Sequence, residues 1–205
     1  MNDAIILQQI YAGSEYAEAV KLTLPRHLDY ARLHNFDYDF YYGDIIKEWP
    51  LSAGGWAKLP IIIRALERGY KYIVWMDADS LIADMSADLR KGCPPDGIGF
   101  VVHSADVKHF NVGNIYITSS PRVREFLLDW VSWYPGPASW HEQAVLNLLA
   151  LAPVYSGIVQ EIDPKYNSCR SGGSHVPGAV VEGFHGEGDV ANRIKLMRKF
   201  LKGKK

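Results

Sequence analysis

The sequence predicts an α/β fold with a mostly parallel central sheet flanked by helices. Three observations lead there. Strand-like apolar runs alternate with helical periodicities through the first half of the chain. The clearest run, Tyr72 to Met76, is apolar throughout, as a strand covered on both faces should be. The chain has 205 residues, 48% hydrophobic and 22% charged, a composition that suits one globular domain over 1–205.

The elements follow in order. AIILQQIY (4–11) is a buried strand, closed by a turn at Gly13-Ser14. Residues 15–34 have helical periodicity, with Ser14 placed to cap the helix. Asp37 to Tyr42 alternates with aromatics and reads as a strand. A helix over 59–69 ends at Gly69. The strand YIVWM (72–76) runs straight into Asp77-Ala78-Asp79. Further strands are predicted near 97–102 and, after Asn111-Val112-Gly113, near 113–118. A helix over 121–133 opens with Pro121, which is favoured in a first turn. Another helix spans 141–151, and short strands are expected near 158–162 and 180–184. Between them SGGSHVPG (171–178) is the loosest stretch, a loop beside a site or a plain surface connection.

Composition excludes several classes. Cys93 and Cys169 are too few for a disulfide scaffold, and no CxxC spacing points to zinc. The first residues lack the basic start of a signal peptide, and no apolar run is long enough to span a membrane. The expectation is a cytoplasmic protein with no nucleic-acid partner. From Val190 onward there are seven basic residues and no acid, so the tail at about 190–205 is a basic helix on an acidic body. Such a tail suits weak peripheral contact with an anionic membrane, and suits a solvated helix end at least as well.

Four motifs carry chemistry. Asp77 and Asp79 stand at the C-terminal end of a buried strand, where open α/β sheets bind their ligands. Two carboxylates one residue apart there can share a hard divalent cation with a diphosphate. Asp-x-Asp alone is a weak signal, and it gains weight from the strand before it. His185, in FHGEGD, can supply an imidazole ligand, and Gly186 and Gly188 would let backbone approach a phosphate. Asn111 and Gly113 precede a strand, where an amide can meet sugar hydroxyls. Glu142 and Gln143 open a helix and can present a carboxylate and an amide, although an acid there also serves the helix dipole alone.

Together these motifs resemble retaining glycosyltransferases of the GT-A fold. The nearest groups are the yeast-type α-galactosyl/mannosyltransferases with the xyloglucan xylosyltransferases, and the glycogenin and lipopolysaccharide galactosyltransferases. The resemblance rests on Trp56-Ala57-Lys58, the strand ending Asp77-Ala78-Asp79, Asn111-Val112-Gly113, Glu142-Gln143, Tyr166-Asn167 and His185 to Gly188, in that order over nearly the whole chain. It implies a nucleotide-sugar donor, UDP-linked, a Mn²⁺ or Mg²⁺ cofactor, and a glycan or other hydroxyl acceptor. Asp77, Asp79 and His185 would ligate the metal. Tyr11, Ala12, Lys58, Ala78, Asn111, Gly113 and Gly188 would line the donor site. Gln143 would lie by the anomeric carbon, with Glu142 holding the donor sugar. One departure stands out. Many relatives carry a diphosphate-binding Lys where this chain has Ala191, which leaves Arg193 or Lys195 as substitutes.

The resemblance favours retention of configuration, by a front-face reaction or through a covalent intermediate on Glu142. Two other readings stay open. A haloacid-dehalogenase-type phosphatase would use Asp77 as nucleophile and Asp79 as acid/base. A non-catalytic module would bind the sugar nucleotide without turnover.

Overall fold

The structure, a computed structural model, describes residues 2–43, 55–103, 109–134, 141–171 and 173–203. Gly172, Lys204 and Lys205, which belong to segments discussed above, lie outside these. In chain order the elements are β1 (Ala4–Ile10), α1 (Ala17–His34), β2 (Asp37–Tyr42), α2 (Lys58–Glu67), β3 (Tyr72–Met76) and β4 (Ser80–Ile82). They continue with β5 (Gly97–His103), β6 (His109–Thr118), α3 (Pro121–Ser132) and α4 (His141–Leu149). The last are β7 (Val159–Glu161), β8 (Val181–Gly183) and α5 (Val190–Lys202).

Six strands form one sheet in the order β2-β1-β3-β6-β5-β7. Pairings β1–β2, β1–β3 and β5–β7 are parallel, while β6 runs antiparallel to both β3 and β5. The sheet is therefore mostly parallel, with one reversed strand. Five residues separate β5 from β6 in the sequence, too few for the crossover that a parallel pair needs, and the two strands pair antiparallel.

Strand β1 is buried along its whole length, so its alternate side chains feed two cores. Ile5 and Leu7 pack with Trp56, Leu59 and Ile62 before and within α2, and with Phe126 and Trp130 of α3. Ala4 and Ile6 pack with Tyr30 and Ala31 of α1 and with Tyr116 of β6. Helix α2 ends as its sequence suggests. Gly69 has φ +87°, its N–H donates to Leu66 O, and the next N–H, of Tyr70, reaches back to Ala65 O. Those two bonds make a Schellman motif, which needs the left-handed conformation that glycine adopts freely.

Two expectations are corrected, and one element is added. Helix α1 starts at Ala17 rather than 15, and Ser14 does not cap it; its Oγ accepts from Tyr16 N (3.1 Å), which sets the preceding turn. Asn111 and Gly113 lie inside β6, not before it, because the bulged pairing with β5 extends that strand back to His109. Strand β4, directly after Asp79, was not foreseen. Its three residues pair antiparallel with β8 in a separate two-stranded sheet.

Candidate active site

The small sheet assembles the site. Its register sets Ser80 opposite Gly183, and Phe184 N donates to Asp79 O (3.0 Å). The second aspartate and His185, more than a hundred residues apart in sequence, are thereby brought to one place. Helix α1 fixes the outer edge of β4: Arg26 Nη2 donates to Ala83 O (3.2 Å), and His27 Nε2 accepts from Ile82 N (3.4 Å). The backbone of Asp77 is held from two sides. Its N–H donates to Gly113 O (2.8 Å), and its carbonyl accepts from the buried Gln8 Nε2 (3.2 Å).

A cavity of about 540 Å³ opens at these strand ends. Tyr11, Lys58, Asp77, Ala78, Asp79, Asn111, Gly113, Glu142, Gln143 and His185, ten of the sequence-predicted residues, line it together. Ala12 and Gly188 do not. Ala12 occupies the Tyr11–Ser14 turn, which Gly13 permits with φ +72°. Gly188 also has a positive φ, but its carbonyl accepts from Arg193 Nε (3.2 Å), so it serves the cavity through that arginine.

Asp77 is partly exposed to the cavity, and its Oδ1 accepts from Trp75 Nε1 (2.7 Å) and Lys58 Nζ (3.3 Å). Lys58 is buried and also pairs with Glu142 Oε1 (3.2 Å) and donates to Val112 O (3.0 Å). Burial pushes the Lys58 pKa down, but Asp77 and Glu142 more than reverse this and leave it raised. Lys58 thus carries its charge between the two carboxylates. Gly55 makes room for the arrangement, because any Cβ there would overlap the Glu142 carboxylate.

Asp79 is almost fully buried. Arg193 of α5 binds its Oδ2 through Nη1 (2.9 Å), and the same Nη1 donates to Tyr16 OH (2.7 Å). Burial first, and then the Asp77 charge, push the Asp79 pKa up to about 6 although Arg193 pulls it down. Burial and Asp79 in turn raise the Tyr16 hydroxyl to about 12, so Tyr16 stays a neutral donor and acceptor.

His185 stacks on His103, with ring centroids 5.1 Å apart and planes 16° apart. Both ring nitrogens of His185 are buried and have no hydrogen-bond partner among the described residues. Burial lowers its pKa to about 4, which keeps the imidazole neutral and its lone pair available at neutral pH. Beside it runs a chain of buried amides. Asn114 Nδ2 donates to Asn167 Oδ1 (2.7 Å), Asn167 Nδ2 to Asn111 Oδ1 (2.8 Å), and Gly113 N also to Asn111 Oδ1 (2.9 Å). This chain fixes the orientation of the Asn111 amide in the cavity wall. Gln143 Oε1 accepts from Val112 N (3.2 Å), which orients that side chain as well.

These groups fit a divalent cation in part. A neutral, unpartnered imidazole and two carboxylates face one cavity, and such a nitrogen–oxygen set suits Mn²⁺. Among the described residues, however, no three His, Cys, Asp or Glu side chains are gathered closely enough to form a complete metal site. The remaining ligands would have to come from phosphate oxygens and water, as is usual for Mg²⁺-type ions. Of the two candidates to replace the lysine missing at Ala191, Arg193 lines the cavity and Lys195 is exposed on α5. Tyr16, Trp75 and Gly55 were not anticipated. Trp75 reads simply as core in an apolar strand, and nothing local in the sequence links Tyr16 to an arginine 177 residues away.

Residues 5–93 match the model of the galactosyl transferase GMA12/MNN10 family. That segment carries β1, Lys58, Asp77 and Asp79. No curated protein matches the sequence. Among solved structures, a glycosyltransferase involved in the glycosylation of the major capsid of PBCV-1 aligns with a TM-score of 0.73 and 18% identity, covering 96% of this chain and 98% of that one. The glycosyltransferase GlyE of Streptococcus pneumoniae TIGR4 aligns less well, with a TM-score of 0.46 and 13% identity over 79% of this chain and 45% of that one. The family model matches the first strands only, and the architecture over nearly the whole chain is the GT-A-like fold of the viral glycosyltransferase.

Proposed function

We propose that the chain moves a hexose or pentose from a nucleoside diphosphate-sugar, UDP-linked, to a glycan or other hydroxyl acceptor, with retention of configuration and with a divalent cation. One observation carries this reading: Asp77, Asp79 and the unpartnered His185 share a cavity with Glu142 and Gln143. Asp77, Asp79 and His185 are the cavity-lining groups from which the cation, Mn²⁺ or Mg²⁺, would draw its protein ligands, with phosphate oxygens and water supplying the rest. When bound, it neutralises charge on the leaving nucleoside diphosphate.

The chain's own residues supply the rest. Tyr11, at the end of β1, offers a ring for the base to lie against. Glu142, held in place by its ion pair with Lys58, accepts hydrogen bonds from donor-sugar hydroxyls. Gln143 spends its carbonyl on Val112 N, and its NH₂ makes no hydrogen bond among the described residues, so it can donate toward the sugar. In a front-face reaction the anomeric carbon–phosphate oxygen bond breaks as the acceptor oxygen bonds to the same face. The departing phosphate oxygen takes the hydroxyl proton. Glu142 is less suited to covalent attack, because Lys58 already engages its carboxylate.

The test is titration with a panel of nucleotide-sugars in Mn²⁺ and in EDTA, followed by product stereochemistry. UDP-sugar binding that disappears in EDTA, with a retained anomer in the product, is expected. Undiminished binding in EDTA would overturn the cation.

A further inference from the structure

Among the described residues, Arg193 is the side chain that occupies the Asp79 carboxylate. Its Nη1 lies 2.9 Å from Asp79 Oδ2 and 2.7 Å from Tyr16 OH, and its Nε donates to Gly188 O at 3.2 Å. Its Nη2 makes no hydrogen bond among the described residues, and the side chain faces the cavity. Two of the five guanidinium donors are therefore still available beside the place where a diphosphate would lie.

Charge counting gives this geometry a consequence. Asp77 and Glu142 share Lys58, and Asp79 faces Arg193, so three carboxylates and two cations leave the cavity one negative charge from balance. A divalent ion arriving alone would have to displace Arg193 from Asp79 and would turn that balance into a net positive charge. An ion arriving with a nucleoside diphosphate brings the missing negative charge. The displaced guanidinium then has phosphate oxygens to bind, within reach of its flexible side chain.

We infer that Arg193 is a built-in counter-cation. It occupies Asp79 in the free enzyme, yields that carboxylate to the divalent ion, and moves onto the diphosphate, so that ion and nucleotide bind only together. Tyr16 is the pivot, since its hydroxyl can keep hold of the guanidinium while the carboxylate contact is exchanged. This rests on the donor and cation assigned above, and adds a coupling between them that the Asp-x-Asp motif does not itself require. Lys58 cannot play the part. It is buried and held by three partners, and its carboxylates are Asp77 and Glu142.

The experiment is Mn²⁺ titration of the full chain, read by electron paramagnetic resonance of the free ion, with and without saturating UDP. Arg193→Gln, Arg193→Lys and Tyr16→Phe are compared with the wild type. For the wild type, weak Mn²⁺ binding alone and strong binding with UDP are expected. Arg193→Gln should tighten Mn²⁺ binding without nucleotide by about fivefold or more, while weakening UDP at saturating Mn²⁺ by about tenfold, so that the coupling collapses. Arg193→Lys keeps the charge and should keep Mn²⁺ alone weak. Tyr16→Phe removes one anchor and no charge, and should shift Mn²⁺ affinity in the same direction as Arg193→Gln by a smaller factor. If the wild type binds Mn²⁺ and UDP together but Arg193→Gln leaves Mn²⁺ affinity alone unchanged or weaker, the inference fails while the proposed function stands. If UDP binds the wild type equally well in EDTA, the cation reading fails and takes this inference with it. Should Arg193→Gln not fold, an unchanged Mn²⁺ affinity in Tyr16→Phe overturns the inference.

Discussion

Lys58 Nζ lies 3.2 Å from Glu142 Oε1, and both side chains are more than nine-tenths buried. The ion pair joins the start of α2 to the first turn of α4, across the mouth of the main sheet. Because Lys58 also reaches Asp77, it ties the strand-end carboxylate to the residue assigned to the donor sugar. Replacing Lys58 by Met keeps the volume and strands two carboxylates. The expected loss is about 3 kcal/mol of stability in urea unfolding, since removing one partner leaves buried charge uncompensated. The double variant Lys58→Met/Glu142→Gln should recover about half of that, because one stranded charge is gone. No recovery would show that Lys58 acts through Asp77 alone.

Much of this was legible in the sequence, and the reason is locality. The strand ending at Asp77, the Pro121 helix start and the Gly69 helix stop are written in neighbouring residues. So are the acid and amide that open α4. What was not legible depends on pairing at a distance. Strand β4 is only three residues long, too short for a periodic signal, and exists because β8 lies beside it. The reversed direction of β6 is set by its pairing with β3 and β5, which apolar runs do not reveal. The choice of Arg193 over Lys195 depended on which face of α5 meets the cavity, and a basic helix with charges on several faces does not announce that.

His27 gives the fold a predicted pH dependence away from the site. It is fully buried on α1, with Nε2 accepting from Ile82 N and Nδ1 without a partner among the described residues. Burial lowers its pKa to about 3, and nearby Arg26 adds to this. The unfolded chain therefore binds a proton at a pH where the folded chain does not. That contribution to stability is complete above the ordinary histidine pKa of about 6.5 and is lost as pH falls from there toward 3. His103 and His185, lowered to about 3 and about 4, act in the same sense, while Asp79 acts in the opposite one. Between pH 8 and pH 5, His27 alone should remove about 2 kcal/mol. Substituting Gln, which can still accept from Ile82 N, should flatten the stability–pH curve by that amount. A curve as steep as the wild type would mean that His27 is protonated, or exposed, in the fold.

Gly183 controls the position of His185. A Cβ on Gly183 would fall 2.5 Å from His185 Cε1 and 2.8 Å from Asn167 Oδ1. The second contact cannot yield easily, because Asn167 is fixed by the amide chain to Asn111 and Asn114. His185 must therefore move. Gly183→Ala is expected to weaken cation-dependent nucleotide binding about tenfold or more, with a smaller loss of stability, about 1 to 2 kcal/mol. Gly178→Ala is the contrasting substitution. No atom lies within 4 Å of its Cβ position, although φ is +74° there, so it should strain the backbone and leave nucleotide binding intact. Equal effects on nucleotide binding in the two variants would remove His185 from the site.

Asp79→Asn separates what the carboxylate does for the fold from what it does for the ligand. Two effects compete. Losing the charge forfeits the 2.9 Å contact with Arg193, which favours the wild type. It also ends the burial of a carboxylate next to Asp77, which favours the variant. The raised pKa, about 6, says that the second effect is larger. At neutral pH the ionised form is thus held at a cost of up to about 3 kcal/mol relative to the neutral one, and an amide of the same shape escapes it. The ligand-free variant should be more stable than the wild type at pH 7, and the advantage should fade as pH falls below about 6, where the wild-type Asp79 takes up its proton. In the presence of Mn²⁺ and UDP the order should reverse, because the wild type gains ligand stabilisation that the variant lacks. Thermal unfolding in the four conditions, with sugar-nucleotide hydrolysis measured alongside, tests both halves. A variant that keeps its Mn²⁺- and UDP-dependent shift and its turnover would take Asp79 out of the cation site and leave it as a structural partner of Arg193.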